Sequence, residues 1–195
     1  MVEKTIYSLR ELHDLVENHD EPHRMIIFFD IDLTIVKEKD DYSDMLIEPE
    51  ITKDLFAYLI DNRINFCFVT ARFHDTVCDH KTRDLVEMKD NIEGSIFPIL
   101  EELGIDLTPY RTPAADKEVY YLENGKGEIV GVLYKGIFFG ARKGEIIKHY
   151  RKEMGLDMTH PHTVLVDDLM ENLEGAKQHV PNIILLKRDI LEELS

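Results

Sequence analysis

Residues 25–36, MIIFFDIDLTIV, contain two aspartates, Asp30 and Asp32, in a run that is otherwise almost wholly apolar. A short continuous apolar run such as MIIFFDI is typical of a β-strand that is buried on both faces of a sheet. Carboxylates seldom occupy apolar surroundings without a partner, because burying the charged form is costly. The stretch therefore predicts a buried strand that ends at two acidic groups whose partners lie elsewhere in the chain.

Other apolar runs alternate with segments of helical periodicity. Strands are predicted over residues 64–70, 162–168 and 182–188. Helices are predicted over residues 8–19, 51–63, 75–103, 142–154 and 169–179, with Ser8 as an N-cap and Gly104 as a C-cap. This alternation predicts an α/β fold in which a mostly parallel sheet is covered on both faces.

Residues 118–140 depart from this alternation. Two β-rich runs flank Asn124-Gly125-Lys126-Gly127, which is typical of a β-hairpin turn. We therefore predict a small β-hairpin insert over about residues 107–141, within a single domain that spans residues 1–195. The charged residues 37–50 are predicted to form a short, loop-like flap.

The charge of the chain bears on its partners. The formal net charge is −16 and the pI is near 4.9, which disfavours nucleic acid and acidic membrane surfaces as partners. The first 20 residues have no signal-peptide core, and no apolar stretch is long enough to span a membrane. These features predict a cytoplasmic-type soluble protein; they leave open secretion by another signal, and the oligomeric state.

Polar residues recur where the predicted strands end, at the edge of a parallel sheet where ligands bind. The second strand along the chain ends in Thr70 and Arg72, a later helix opens with Lys143, and a third strand ends in Asp167 and Asp168. With Asp30 and Asp32, four carboxylates share one crevice with one ammonium and one hydroxyl group. Because the carboxylates repel one another, we expect a divalent cation between them, and oxygen ligands favour Mg²⁺.

Four of these segments resemble, in order, the four motifs of the haloacid dehalogenase (HAD) superfamily, and more narrowly its phosphatase branch. They are FDIDLT (29–34), VTAR (69–72), the lysine of RKGE (142–145) and VDDLMEN (166–172). The resemblance extends from about Met25 to about Leu186. It implies a three-layer, HAD-like Rossmannoid fold with the hairpin insert and little or no cap.

The resemblance also implies a role for each residue. Asp30 would attack phosphorus and form an aspartyl-phosphate, while Asp32 would protonate the leaving alcohol and then activate water. Lys143, with the metal ion, would offset the charge of the nucleophile and of the phosphoryl group, and the Thr70 hydroxyl and the backbone N–H groups after Asp30 would hold the phosphoryl oxygens. Mg²⁺ would bind the Asp30 carboxylate, the backbone carbonyl of Asp32 and a carboxylate of the fourth motif.

Two points of this assignment stay open in the sequence. The spacing to Asn172 favours Asp168 as the last metal ligand, with Asp167 close by, and Arg72 and Asn172 are supporting residues. Each residue also has a purely structural interpretation, since Asp32, Thr70, Asp167 and Asp168 are all suited to capping loops or helices. It is their joint order and placement that favours the functional interpretation.

The short flap predicts an open site, and open sites of this family tend to act on phosphorylated macromolecules. We therefore expect a phosphorylated protein as substrate, and the aromatic residues Tyr42, Phe73 and Phe139 slightly favour phosphotyrosine. Core packing is the alternative role of these aromatics, and for Phe139 it is the favoured one. A small phosphometabolite is the alternative. A response-regulator receiver also places acidic residues, a threonine and a lysine around Mg²⁺, but its motifs come in another order, which argues against this class. A non-catalytic Mg²⁺- or phosphate-binding protein is the alternative outside the enzymes.

Overall fold

The computed structural model of the chain describes residues 4–41, 43–72, 96–105 and 119–191. Eight strands form the main sheet: β1 (Lys4–Ile6), β2 (Met25–Phe29), β5 (Asn65–Thr70), β6 (Val119–Glu123), β7 (Ile129–Tyr134), β8 (Ile137–Phe139), β9 (His162–Asp167) and β10 (Ile184–Arg188). Their spatial order is β1-β10-β9-β2-β5-β8-β7-β6. In this spatial order, every neighbouring pair from β1–β10 through β5–β8 is parallel. The last two pairs, β8–β7 and β7–β6, are antiparallel. The structure is therefore α/β, with a mostly parallel sheet and a small antiparallel hairpin, as in Rossmann-like folds.

Helices cover both faces of this sheet. They are α1 (Leu9–Glu17), α2 (Pro49–Asp61), α3 (Ile96–Glu102), α4 (Lys143–Glu153), α5 (Leu156–Thr159) and α6 (Met170–His179), with a short 3₁₀ turn at Pro22–Arg24. Strand β2 shows why two layers of helices are needed. Its Ile27 and Phe29 belong to the core beside α1 and α2, whereas Ile26 and Phe28 belong to the core beside α4 and α6. Alternate residues of one apolar strand thus enter opposite cores, so both faces are buried.

Several boundaries follow directly from the sequence. Ser8 caps α1 with a full capping box, in which its side chain accepts from the helix and Glu11 reaches back to the cap. The predicted hairpin is present as β6 and β7, and Asn124 Oδ1 accepts from the backbone of Lys126 and Glu128 at its turn. Gly104 follows α3 in the left-handed region, as a helix-ending glycine does.

Three features differ from the prediction. The flap contains two short antiparallel strands, β3 (Val36–Glu38) and β4 (Asp44–Leu46), where a loop was expected. Strand β1 and helix α5 were not predicted, because three or four residues are too few to show a periodicity. The apolar run after the hairpin turn is divided into β7 and β8 by Lys135 and Gly136, both at positive φ, so β8 joins the parallel part of the sheet beside β5.

Some predictions lie partly or wholly outside the described residues. Of the helix predicted over 75–103, the described part is α3, and Tyr42, Phe73 and residues 107–118 of the predicted insert are not described. Phe139 is fully buried in β8, which confirms its expected place in the core. Within the described parts of the chain, no helix is long and apolar enough to cross a membrane.

Candidate functional site

The carboxyl ends of three neighbouring strands carry most of the predicted site residues. Asp30 follows β2, Thr70 is the last residue of β5, and Asp167 is the last residue of β9. Strand β2 lies between β5 and β9, so their ends meet at one edge of the sheet. Lys143, the first residue of α4, approaches the same edge. The structure therefore brings together residues that are up to 137 positions apart, the separation of Asp30 and Asp167.

The Lys143 ammonium lies between two buried carboxylates. Its Nζ donates to Asp30 Oδ1 and to Asp167 Oδ2, both at 2.6 Å. The side chains of Lys143, Asp30 and Asp167 are only 1%, 6% and 0% exposed, respectively. Ion pairs this well shielded from water interact strongly, so Lys143 fixes the positions of both carboxylates.

Close packing of α4 against α6 allows Lys143 to enter the site. A Cβ atom on Gly144, the next residue, would lie 2.8 Å from both Ala176 Cα and Gly175 O of α6. Real Cβ atoms do not approach backbone atoms this closely, and backbone cannot rotate away as a flexible side chain can. Glycine at 144 is therefore required for the two helices to lie at this separation.

Asp167 is held by further donors. Its Oδ1 accepts from the backbone N–H of Leu169 at 2.9 Å and from Asn172 Nδ2 at 3.0 Å. The same Nδ2 lies 3.2 Å from Oδ2. Asn172 thus orients the loop between β9 and α6 by bonding Asp167, in agreement with a supporting role. Both oxygens of Asp167 already have protein donors.

Asp168 completes an acidic cluster with Asp30 and Asp167. One oxygen from each of the three carboxylates lies within 4.8 Å of the others, and Asp168 is partly exposed where the other two are buried. Lys143 supplies the one positive charge within bonding distance of these carboxylates in the described residues. When all four groups are ionised, negative charge exceeds positive charge by two. The oxygen donors and the excess charge both suit a divalent cation.

The same imbalance shifts the proton affinities of the site. Burial, together with the neighbouring charges of Asp167 and Asp168 and against the pull of Lys143, raises the pKa of Asp30 from 3.8 to about 8. Burial and the Asp167 carboxylate also raise the pKa of Asp168. For Lys143, burial alone would lower the pKa, but the two carboxylates outweigh it and the pKa is raised. A bound cation would favour the ionised carboxylates and oppose the shift of Asp30.

The Asp32 side chain lies apart from this cluster, against the guanidinium of Arg72. Arg72 Nε donates to Asp32 Oδ2 at 3.0 Å, and Nη2 donates to Asp32 Oδ1 at 2.6 Å. Of the four carboxylates expected in one crevice, three lie within 4.8 Å of one another, and the Asp32 side chain is bonded to Arg72 instead of joining that group. The prediction that its backbone carbonyl is a metal ligand is untouched by this.

Arg72 also contacts the flap. Its Nη2 lies 3.1 Å and 3.2 Å from the two carboxylate oxygens of Asp44, the first residue of β4. One guanidinium thus joins the loop after β2 to the flap. Sequence reasoning missed Asp44, because it is one of many acids in a charged segment and its partner is 28 residues away.

Two threonines have local hydrogen bonds in the site. The Thr70 hydroxyl accepts from the backbone N–H of Arg72 at 3.2 Å, so it stabilises the turn after β5. The Thr34 hydroxyl donates to Asp30 Oδ2 at 3.3 Å. Thr34 stands in the quoted FDIDLT motif, so the signal for this contact was present in the sequence although Thr34 was not predicted as a site residue.

The loop between Asp30 and β3 is also held by Arg188, the last residue of β10. Arg188 at the end of β10 is buried; its Nη2 donates to Glu48 Oε2 at 2.7 Å and its Nε to the Thr34 carbonyl at 3.4 Å. Leu33 in this loop has a φ of 57°, in the left-handed region that leucine seldom adopts. Arg188 thus supports this loop at Thr34, next to a residue with an uncommon backbone conformation.

A groove of about 970 Å³ opens beside Asp168, between the flap and the end of β10. Leu33 and Met45 line it with apolar surface, and Lys37 and Lys187 are among its charged residues. Leu33 is half exposed. The acidic cluster therefore adjoins a wide groove whose lining is partly apolar and carries charges of both signs.

Comparison with known proteins adds no assignment. No protein-family model matches the chain, and no curated protein matches it.

Proposed function

We propose that this protein is a Mg²⁺-dependent phosphomonoester hydrolase of the HAD type, which acts through an aspartyl-phosphate on Asp30. The observation that carries the proposal is the Asp30–Lys143–Asp167 contact, with Asp168 beside it. These residues belong to three of the four segments that resemble the HAD phosphatase motifs. The remaining segment, VTAR (69–72), supplies Thr70 at the same edge of the sheet. A buried nucleophile, a fixed cation and an acidic cluster are the parts that such a reaction needs.

Mg²⁺ is the cofactor we propose for the acidic cluster. Asp30 and Asp168 would hold it with carboxylate oxygens, and the Asp32 carbonyl is a third ligand in the proposal. Asp168 is the better candidate of the fourth motif, because it is partly exposed, whereas Asp167 is buried and already bonded by three donors, from Lys143, Leu169 and Asn172. When bound, the ion would offset the charge of the nucleophile and of the phosphoryl group.

The reaction would have two balanced steps. In the first, an Asp30 oxygen forms a bond to phosphorus as the bond to the ester oxygen breaks, and Asp32 gives its proton to the departing oxygen. In the second, water attacks the phosphorus, its proton passes to Asp32, and the bond to Asp30 breaks to release phosphate. Lys143 remains on Asp30 throughout and stabilises the charge that gathers on the transferred oxygens.

We propose a phosphoprotein as the substrate, with phosphotyrosine ahead of phosphoserine or phosphothreonine, and a small phosphometabolite as the alternative. Among the described residues between β2 and α2, the only elements are the three-residue strands β3 and β4, which leave the groove beside Asp168 open. A groove of about 970 Å³ is at the upper end for small-molecule sites. Its lining includes Asp168, so a bulky substrate group in this groove would approach the cluster from the Asp168 side.

The test is hydrolysis of p-nitrophenyl phosphate with Mg²⁺ and with a chelator, in the wild type and in Asp30→Asn. We expect hydrolysis that requires Mg²⁺ and falls by a factor on the order of 10³ or more in the variant, because the nucleophile is lost. Asp54→Asn, at an exposed position on α2, is the matched control and should keep its activity. Equal activity with chelator, or in Asp30→Asn, would contradict the proposal.

The same preparation separates the alternatives. A panel of phosphopeptides and phosphometabolites, compared by kcat/KM, ranks the two substrate classes. Binding of Mg²⁺ with no hydrolysis of any of these esters would instead support a non-catalytic protein that binds Mg²⁺ or phosphate.

A further inference from the structure

Arg72 presents a planar fork of donors to the exposed carboxylate of Asp32. Two different nitrogens reach two different oxygens, at 3.0 Å and 2.6 Å. The Arg72 side chain is 10% exposed, whereas that of Asp32 is 49% exposed. Without the fork, a half-exposed aspartate would be free to change rotamer, since solvent does not favour one position over another.

Asp44 holds the guanidinium from the flap. Its side chain is 3% exposed, and both of its oxygens lie within hydrogen-bond distance of Arg72 Nη2. The Arg72 backbone is fixed as well, since its N–H donates to the Thr70 hydroxyl. The order of support therefore runs from the buried Asp44, through Arg72, to the exposed Asp32.

We infer that Arg72 is a positioning residue for Asp32 in the proton transfer to the ester oxygen, and that Asp44 holds Arg72 in place. The inference rests on the proposed phosphatase function. A general acid must lie within hydrogen-bond distance of the atom that it protonates, so its orientation decides its efficiency. Arg72 is required as arginine, because lysine keeps the charge but has no fork for two oxygens.

The experiment compares two esters of similar shape whose leaving groups differ. p-Nitrophenolate leaves readily without a proton, whereas the phenolate of phenyl phosphate benefits from one. The readout is kcat/KM, which reports the steps up to cleavage of the ester. We expect Arg72→Lys to lower kcat/KM for phenyl phosphate by about 10- to 100-fold, and for p-nitrophenyl phosphate by less than about 5-fold. Asp44→Asn should show the same pattern with a smaller loss.

The double variant Arg72→Lys/Asp32→Asn gives the sharper readout. If Arg72 acts through Asp32, Arg72→Lys costs almost nothing further once Asp32 is asparagine, since residues that act as a unit are not additive. Arg24→Lys and Asp54→Asn, both in partly exposed ion pairs away from the site, are the matched controls. If Arg72→Lys does not fold, Asp44→Asn with and without Asp32→Asn supplies the same cycle.

The outcomes separate this inference from the function on which it rests. Equal losses on both esters, or full additivity with Asp32→Asn, would mean that Arg72 only supports the fold, and the inference would fail while the phosphatase stands. If Asp32→Asn itself spares phenyl phosphate, Asp32 is not the acid and the inference fails again. If the wild type hydrolyses neither ester, the proposed function fails and the inference fails with it.

Discussion

Helix α4 carries a buried cation near each end, and the two have different surroundings. At its start, Lys143 contacts two carboxylates that are almost wholly buried, and a third lies nearby. Toward its other end, Arg151 pairs with Asp157, whose side chain is 69% exposed, and donates to the His160 carbonyl and the Thr163 hydroxyl. The Arg151 pair is balanced in charge and its carboxylate is hydrated. The Lys143 cluster has three carboxylates for one ammonium group, and most of it is shielded from water.

This difference separates a pair that serves the fold from a cluster suited to an ion. A fold gains nothing by burying several carboxylates around one ammonium, because desolvation and repulsion oppose ionisation of all of them. An added divalent cation would remove the imbalance. The two ends of α4 are therefore expected to respond differently to substitution, to pH and to Mg²⁺.

The largest expected effect is that of removing each cation. Lys143→Met leaves buried carboxylates without their partner, so we expect a loss of about 3–5 kcal/mol in the free energy of unfolding without metal, and loss of phosphatase activity. Arg151→Met leaves a hydrated carboxylate and two neutral acceptors, so about 1–3 kcal/mol is expected, with activity retained. Urea unfolding in chelator measures both. Equal destabilisation by the two substitutions would contradict the comparison.

The next effect is a pH dependence of stability that arises from the cluster at the Lys143 end of α4. Because the pKa of Asp30 is raised from 3.8 to about 8 in the folded protein, the folded state keeps a proton that the unfolded chain has lost. The contribution of Asp30 to stability is therefore greatest below pH 4 and is lost as the pH rises toward 8, with a slope of at most about 1.4 kcal/mol per pH unit. In metal-free protein, the free energy of unfolding of wild type relative to that of Asp30→Asn should fall over this pH range. Parallel stability curves for the two proteins would exclude the raised pKa.

A third prediction concerns the packing that brings Lys143 into the cluster. Gly144→Ala would force a Cβ against the backbone of α6, so we expect a loss of about 1–3 kcal/mol and a marked fall in activity. Gly175→Ala is the matched control, since its Cβ meets nothing within 4 Å. It lies inside α6, where alanine is favoured by about 0.5–1 kcal/mol. Thermal unfolding and activity distinguish the two; a harmless Gly144→Ala would show that α4 does not need this close approach.

The smallest expected effect is the change in stability when one carboxylate is neutralised, and it should have opposite signs at the Lys143 and Arg151 ends of α4. Asp168→Asn relieves repulsion, so it should leave the metal-free protein as stable as wild type or up to about 1 kcal/mol more stable, while Mg²⁺ binding weakens strongly. Asp157→Asn removes an exposed partner of Arg151 and should cost at most about 1 kcal/mol, with no change in Mg²⁺ binding. Calorimetric titration with Mg²⁺ and urea unfolding give both quantities. A clear destabilisation by Asp168→Asn would show that repulsion among the three carboxylates does not destabilise the metal-free protein.

The sequence predicts the parallel sheet and the convergence of Asp30, Thr70, Lys143 and Asp167, because buried strands and the polar residues at their ends are local patterns. It does not predict the position of the Asp32 side chain. That position depends on Arg72, 40 residues away, and on Asp44 in strands too short to show a pattern. The division of β7 from β8 was missed for a different reason, since Lys135 and Gly136 interrupt a run that reads as one strand.

The central claim is that Asp30 accepts the phosphoryl group, and covalent capture tests it most directly. Asp32→Asn protein would be mixed with p-nitrophenyl phosphate and Mg²⁺, quenched in acid, digested and analysed by mass spectrometry; Asp30→Asn in the same background is the control. The account predicts that a peptide containing Asp30 gains the mass of one phosphoryl group and that the control gains none. Hydrolysis of the ester with no phosphoryl group on Asp30, or an equal gain in the control, would contradict it.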